Sequence, residues 1–179
     1  ITEDGTFDLI SKNYPGHIMF TLEDELEREM LWGDFLKAAI VALSRKYELR
    51  RGIKGVIEGT LPVGGLSSSA AVILTYLNAV CIANDIQITR PEIISNAIWA
   101  ERNYIGVNVG KLDQSCEVYC RKNGLLFLDT LDDSNEIIPV SSNMKPFEIM
   151  IVFGGKERQL AGSAYNTRVD ECKAAAYAL

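Results

Sequence analysis

The residues with the clearest chemical potential lie in one short run, LPVGGLSSSAA, from Leu61 to Ala71. Its two adjacent glycines would let backbone N–H groups approach a ligand closely, because no side chain stands in the way. The hydroxyls of Ser67, Ser68 and Ser69 could bind phosphate oxygens or a metal ion. A helix after this run would turn its unpaired N–H groups and the positive end of its dipole toward the same ligand. The run therefore predicts an anion site, and phosphate is the obvious anion.

This run differs from the P-loop of many ATPases, because no lysine follows the second glycine and the glycines are too closely spaced. A simple alternative is a Gly-Ser turn that only caps a helix. The neighbouring residues favour ligand binding. Residues 52–60 predict a strand, and residues 70–86 predict a helix that is apolar on nearly every face. A buried helix would hold its N-terminus in a fixed place.

The segment GLSSSAA, from Gly65 to Ala71, resembles the phosphate-binding motif of the GHMP kinases, the superfamily of galactokinase, homoserine kinase, mevalonate kinase and phosphomevalonate kinase. It is most similar to the galactokinase branch. Galactokinases usually carry one more residue between the proline and Gly-Leu-Ser. The backbone path of this loop is therefore expected to differ, while the serine hydroxyls and amides are retained.

Further segments resemble the same family, in the same order. Ala100-Glu101 and the run YIGVNVGKLDQ, which ends at Gln114, are similar to the galactokinase stretch that ends in Gly-Ile-Met-Asp-Gln. Residues 163–172 resemble the family's Ser-x-Tyr-Asn-x-Arg-x-x-x-Cys helix start, and residues 11–16 and 32–37 also fit. The shared order makes chance an unsatisfactory explanation.

The resemblance implies a sugar kinase that uses ATP and Mg²⁺. Asp113 would be the catalytic base, and Asp113, Gln114 and Tyr165 would contact the sugar. Ser69 and Glu101 would bind the metal, and the spacing of Glu101 and Asp113 is the one expected of the family's metal-binding glutamate and catalytic aspartate. The residues implied to bind ATP phosphates are Gly64, Gly65, Leu66, Ser67, Ser68, Ser69 and Ala70.

Two of these positions, and the nearby Lys111, have alternative explanations. Asp113 is predicted in the first turn of a helix, where the dipole would keep it ionised, but aspartate also favours helix starts for stability alone. Glu101 could be an ordinary solvated helix residue. Lys111 stands where the family usually has an apolar residue, and it could be solvated or could add positive charge near the reacting phosphate or an acidic sugar.

Composition excludes several classes of protein. The chain has 179 residues, 47% of them hydrophobic, which suits a soluble globular domain. Its net charge of −6 argues against a nucleic-acid partner, and no apolar run is long enough to suggest a membrane span. The four cysteines form no CxxC pair, so reduced thiols and a cytoplasmic location are expected.

The periodicity predicts strands around residues 7–11 and 18–22, a helix from about residue 32, a strand, the serine-rich loop, three helices, strands at 125–128 and 147–153, and a helix from about residue 163. The acidic residues 23–29 are predicted to be a solvated face or a linker.

The predicted order of strands and helices is α+β. The resemblance implies the GHMP kinase fold, with residues 1–179 supplying the N-terminal domain (ribosomal protein S5 domain 2-like) and the start of the interdomain region. The family's opening signature and late glycine-rich motif are absent, which predicts a fragment of a two-domain enzyme that is inactive by itself.

Three functions remain open at this point. The first is ATP-dependent phosphorylation of the anomeric (C1) hydroxyl of galactose. A galacturonokinase or a related uronic-acid or pentose 1-kinase is the second, because LDQS and the string after Tyr165 look at least as similar to galacturonokinases. The third is a non-catalytic, sugar-sensing binding protein on a kinase fold. The sequence does not specify an oligomeric state.

Overall fold

The structure is a computed structural model that describes residues 1–60, 66–145, 147–152 and 164–178. Its elements are short strands and helices in mixed order, which confirms the predicted α+β class. In chain order they are β1 (Thr6–Ser11), β2 (His17–Thr21), α1 (Asp34–Ser44), β3 (Lys54–Ile57), α2 (Ser68–Ala83), α3 (Arg90–Trp99), a π-helical turn (Ala100–Ile105), α4 (Leu112–Tyr119), β4 (Gly124–Leu128), β5 (Asn135–Pro139) and α5 (Tyr165–Ala178).

The first three strands form one sheet with β1 in its centre. β1 pairs antiparallel with β2 and parallel with β3. Alternate residues of a strand point to opposite faces, so Phe7 and Leu9 of β1 are buried against the helices while Ile10 is largely exposed. Phe7 stacks on Phe20 of β2, with the ring centroids 5.2 Å apart. The sheet thus has one apolar face that must be covered.

The helices supply that cover. α1 packs against α2 and against the π-helical turn, and α2 also contacts α3 and α4. Leu36, Ile40, Ile73 and Leu77 are essentially inaccessible to solvent. The spacing of four residues within each pair places one stripe of each helix in the core. This packing fixes the start of α2, the end of α3 and the start of α4 relative to one another.

The predicted order of elements is confirmed, with differences near both ends. β5 was not predicted. The strand predicted at residues 147–153 is wrong over residues 147–152, which form no strand, and residue 153 lies outside the described residues. The acidic segment before α1 is not only a solvated linker, because the buried Asp34 carboxylate accepts hydrogen bonds from the backbone N–H groups of Glu29 and Met30, at 3.0 and 2.7 Å.

The last elements lie at the margin of this core. β4 and β5 form a separate two-stranded antiparallel hairpin, and no described residue of α5 is buried. Among the described residues, no helix has the length and apolar character to cross a bilayer.

Candidate active site

The serine-rich run leads into the N-terminus of α2. Ser67 has φ 57° and ψ 27°, a left-handed conformation that few residues other than glycine adopt, and its side chain does not cap the helix. The first-turn N–H groups of a helix have no partner within the helix. Leu66 and Ser68 are exposed, Ser69 is half-buried and Ala70 is buried. Gly64 and Gly65, predicted for the same loop, lie outside the described residues.

Glu101 lies where α3 gives way to the π-helical turn. α3 begins at a well-formed cap, in which the Thr89 hydroxyl accepts a hydrogen bond from the backbone N–H of Glu92. After Trp99 the turn widens, and the Glu101 carbonyl accepts hydrogen bonds from the N–H groups of Gly106 and Val107. Such wide turns are often found at functional sites. The side chain of Glu101 is turned inward, and the residue is only 2% exposed.

Two polar residues face the Glu101 carboxylate inside the protein. The side-chain amide of Gln114, in the first turn of α4, donates a hydrogen bond to it, and the hydroxyl of Ser69 stabilises its ionised form. Burial raises the pKa of Glu101, these two contacts oppose that rise, and the nearby charge of Asp113 adds to it. The structure therefore brings together four predicted site residues: Ser69, Glu101, Asp113 and Gln114.

The oxygen atoms of this cluster fit a magnesium ion. The side-chain carbonyl oxygen of Gln114 is buried and has no hydrogen-bond partner among the described residues. It lies on a side chain that already contacts the Glu101 carboxylate, so hard oxygen donors meet at this point. Within the described ranges, no three His, Cys, Asp or Glu side chains are arranged to hold a metal by themselves. Magnesium typically takes one or two carboxylates and completes its shell with phosphate oxygens and water.

Asp113 occupies the first turn of α4, as predicted, and is exposed. The loop before it, residues 106–110, is held on one side by Arg102. The Nε and Nη2 atoms of this guanidinium both donate to the carbonyl of Val109, at 2.8 and 2.6 Å. This contact fixes the path of the chain just before α4.

The start of α5 holds the same loop on the other side. The side chain of Asn166 donates a hydrogen bond to the carbonyl of Gly106, at 2.9 Å, and accepts one from the backbone N–H of Asn108, at 2.8 Å. Tyr165, predicted to contact the sugar, directly precedes Asn166. α5 therefore begins beside the loop that leads to Asp113. The sequence motif contained Asn166, but nothing in the sequence showed what its side chain would bind.

Comparison with known proteins identifies the family. Residues 34–121 match the family described as GHMP kinases N terminal domain. A galactokinase of Lactococcus lactis, solved in complex with galactose, superposes with a TM-score of 0.86 at 32% identity and covers 97% of this chain. The chain belongs to the GHMP kinases. The mixed helix and strand order and the position of α2 after the serine-rich run are those of this fold, as predicted.

Two curated relatives of this GHMP kinase show how its sequence is related to named enzymes. The galacturonokinase of Arabidopsis thaliana is 35% identical over 86% of this chain and 37% of its own length. The galactokinase of Thermococcus kodakarensis is 34% identical over 90% of this chain and 45% of its own length. The chain thus spans less than half the length of these relatives and 45% of the L. lactis structure.

Glu117 is a member of the site that the sequence did not reveal. It lies one turn after Asp113 on α4, at a spacing that places both side chains on one helix face. Partial desolvation raises the pKa of Glu117 to about 7, and the charges of Asp113 and Glu101 contribute. Glu117 also lines an open cleft of about 830 Å³ together with Leu66 and Ser67 at the start of α2. In the sequence, the i to i+4 spacing from Asp113 was the signal that could have indicated Glu117.

The side chain of Lys111 extends toward the β4–β5 hairpin of this GHMP kinase. Its ammonium donates hydrogen bonds to the carbonyl of Thr130, at 3.1 Å, and to the carboxylate of Asp133. The sequence left open a solvated lysine or a charge near the reacting groups, and the structure adds the contact with the hairpin turn. The ammonium is engaged by the hairpin turn.

Proposed function

We propose that this GHMP kinase transfers the γ-phosphoryl group of ATP to the anomeric (C1) hydroxyl of a hexose, with galactose as the first candidate, and releases a sugar 1-phosphate. One observation carries the proposal: Gln114, the neighbour of Asp113, hydrogen-bonds the buried carboxylate of Glu101, which also faces Ser69. A candidate base and candidate metal-binding oxygens thereby meet at the start of α2. The galactokinase and galacturonokinase relatives support the same type of reaction.

The start of α2 is assigned to the phosphates of ATP. The residues assigned to phosphate binding are Gly64, Gly65, Leu66, Ser67, Ser68, Ser69 and Ala70. Unpaired N–H groups and the positive end of the α2 dipole would attract the phosphate oxygens. This local arrangement matters because the chain as a whole carries a net charge of −6, which would repel an anionic nucleotide.

Asp113 is assigned as the base that accepts the proton of the sugar hydroxyl as the hydroxyl attacks the γ-phosphorus. Its carboxylate lies in the first turn of α4 and is exposed, so a substrate hydroxyl can reach it. Gln114 and Tyr165 are assigned to sugar contact near the loop that Asn166 holds. In phosphoryl transfer the protein contributes mainly by positioning groups and by offsetting charge. The hydrogen bonds of Arg102 and Asn166 to residues 106–110 supply such positioning.

Ser69 and Glu101 are assigned as magnesium ligands. When bound with ATP, the ion would offset the negative charge that develops on the phosphate oxygens. The carboxylate of Glu101 would be oriented by the Gln114 amide, which fixes its rotation before any ligand arrives. The raised pKa of Glu101 fits this assignment, since a buried carboxylate without a cation nearby is costly to ionise.

Galacturonate is the second candidate substrate, because the A. thaliana galacturonokinase is 35% identical to this chain. A uronic acid would need a cationic side chain for its carboxylate, preferably an arginine in bidentate geometry. Three cationic residues of the segments assigned to the site are engaged elsewhere: Lys111 by the hairpin, Arg102 by Val109 and Arg168 by Glu171. This favours a neutral hexose over the acid.

A sugar panel tests the proposal. Full-length protein would be incubated with ATP, Mg²⁺ and, in turn, galactose, galacturonate and glucose, while ADP release is followed and the product is identified by NMR. We expect ADP release that depends on galactose and yields galactose 1-phosphate. Faster turnover of galacturonate than of galactose would identify the acid as the substrate. Tight sugar binding without ADP release from any sugar would instead favour a non-catalytic, sugar-sensing protein.

Two further assignments belong to the same proposal. Residues 1–179 would form the N-terminal, ATP-binding domain and the start of the interdomain region of a two-domain enzyme. Cys81, Cys116, Cys120 and Cys172 are free thiols, which supports a cytoplasmic location.

A further inference from the structure

Lys111 connects the start of α4 to the β4–β5 hairpin. It is the residue immediately before α4, and its ammonium reaches the turn that joins β4 to β5. There it finds two acceptors, the backbone carbonyl of Thr130 and the carboxylate of Asp133. The sequence resemblance had suggested only that a lysine here departs from the family's apolar residue.

The hairpin turn is held by its own hydrogen bonds, so it can act as a fixed acceptor for Lys111. The backbone N–H of Asp129 donates to the carbonyl of Ser134, at 2.9 Å, and the N–H of Asp133 donates to the carbonyl of Asp129, at 3.0 Å. The Asp129 carboxylate also accepts from the N–H of Leu131, at 2.8 Å. These hydrogen bonds hold the turn in one conformation. The Thr130 carbonyl and the Asp133 carboxylate are therefore presented together to Lys111.

The first turn of α4 is consequently held from two sides. On the inner side, the buried Gln114 binds Glu101. On the outer side, Lys111 binds the hairpin turn. Asp113 lies between these anchored residues in sequence and is itself exposed. A change on either side would alter the direction in which its carboxylate points.

We propose that Lys111 is a positioning residue that acts through Asp133 and Thr130: it anchors the start of α4 to the β4–β5 turn and so orients the carboxylate of Asp113. This inference rests on the proposed function of Asp113. An exposed ion pair adds little to stability. Its effect on a reacting group can be larger, because small displacements of such a group slow a reaction disproportionately.

The central experiment compares Lys111→Met, Asp133→Asn, the double variant and Lys111→Arg. Asparagine tolerates the positive φ of Asp133, 64°, so the turn is kept while the charge is removed. Lys122→Met and Glu136→Gln are matched controls, since both residues are exposed and neither side chain has a hydrogen-bond or ion-pair partner among the described residues. kcat and KM would be measured with Mg²⁺-ATP and the sugar that the panel identifies.

We expect Lys111→Met and Asp133→Asn to lower kcat by a similar factor, roughly 3- to 10-fold, with little change in either KM. The double variant should be no slower than the slower single variant, and Lys111→Arg should be close to wild type. A loss in Lys111→Met with full activity in Asp133→Asn would overturn the inference, because Lys111 would then act on the substrate directly. Wild-type kcat in both variants would overturn it as well.

Hydrogen exchange tests the anchor without any activity. The backbone amides of residues 112–115 should exchange faster in Lys111→Met and Asp133→Asn than in wild type, and the controls should not differ from wild type. Unchanged exchange in both variants would refute the anchor even if kinase activity is found. If wild type shows no sugar-dependent turnover, the proposed function fails, while the exchange data still decide whether the anchor exists.

Discussion

Asn166, the second residue of α5, accepts a hydrogen bond from the backbone N–H of Asn108, at 2.8 Å, although 58 positions separate them in the chain. The same side chain donates to the carbonyl of Gly106. One amide thus satisfies a donor and an acceptor of the loop that precedes α4. This contact joins the start of α5, which supplies Tyr165, to the loop that leads to Asp113.

Replacing Asn166 should therefore loosen the loop. We expect Asn166→Ala to lower kcat/KM for the sugar about 10-fold, because two backbone groups of the loop lose their partner. Asn166→Asp keeps the acceptor for Asn108 but not the donor for Gly106, so its loss should be intermediate. Thr167→Ala, an exposed neighbour, is the control. Equal kinetics of Asn166→Ala and wild type would show that the contact has no part in sugar use.

Asp113→Asn tests the base. Removing a general base typically slows a reaction by about 10²- to 10⁴-fold, and asparagine has the same shape as aspartate. We expect a kcat reduced by that factor with a nearly unchanged KM for ATP, measured as sugar-dependent ADP release. Glu136→Gln on the exposed side of β5 is the control for loss of one negative charge. A normal rate in Asp113→Asn would refute the assignment.

Glu101→Gln and Ser69→Ala test the metal ligands. Both variants remove an oxygen donor from the cluster, so we expect the Mg²⁺ concentration for half-maximal activity to rise about 10-fold or more. Glu101→Gln keeps the size of the side chain, and circular dichroism would establish that it folds. Activity titrated with Mg²⁺ at saturating ATP is the measurement. An unchanged Mg²⁺ requirement in both variants would contradict the assignment.

The raised pKa of Glu117 predicts a specific dependence of stability on pH. Its pKa is about 7 in the folded protein against an ordinary value of 4.5, so the folded state retains the proton over this window while the unfolded state releases it. The contribution of Glu117 to the free energy of unfolding is therefore lost progressively as pH rises from about 4.5 through 7. The loss is complete about one pH unit above the folded-state pKa, near pH 8.

The side chain of Glu117→Gln is neutral at every pH. The variant should therefore be more stable than wild type at pH 8, with a smaller difference at pH 5. Urea unfolding of the full-length protein at both values measures this, and Glu136→Gln is the matched exposed glutamate. A Glu117→Gln variant that gains no stability at pH 8 would mean that desolvation and the charges of Asp113 and Glu101 do not raise the pKa of Glu117 as the structure implies.

Local patterns predicted the parts of the site that depend on neighbours in sequence. The serine-rich run before an apolar helix placed Ser69 correctly at the start of α2, and the helix signal after Gly110 placed Asp113 in a first turn. The family resemblance placed Glu101 and Gln114 in one site, but no pattern in the sequence predicted the hydrogen bond between them. Periodicity assumes 3.6 residues per turn and cannot anticipate a π-helical turn.

Long-range contacts account for what the sequence did not predict. Lys111 finds Asp133 only because the hairpin folds back toward α4, and the pKa of Glu117 depends on desolvation where α4 lies near α2. The apolar residues 147–152 looked like a strand, yet a strand requires an edge to pair with. β5 was missed because its sequence, NEIIP, contains few strand-forming residues and ends in proline.

The wide turn at residues 100–105 has a consequence for how this region can vary among natural proteins. It accommodates one residue more than a regular helical turn would, so deleting a single residue there would close the turn to α-helical spacing and change the direction of the side chains within it. Glu101 would then no longer point at Gln114. Apart from Glu101 and Arg102, changes of residue type in this segment should consequently be tolerated more readily than changes of its length.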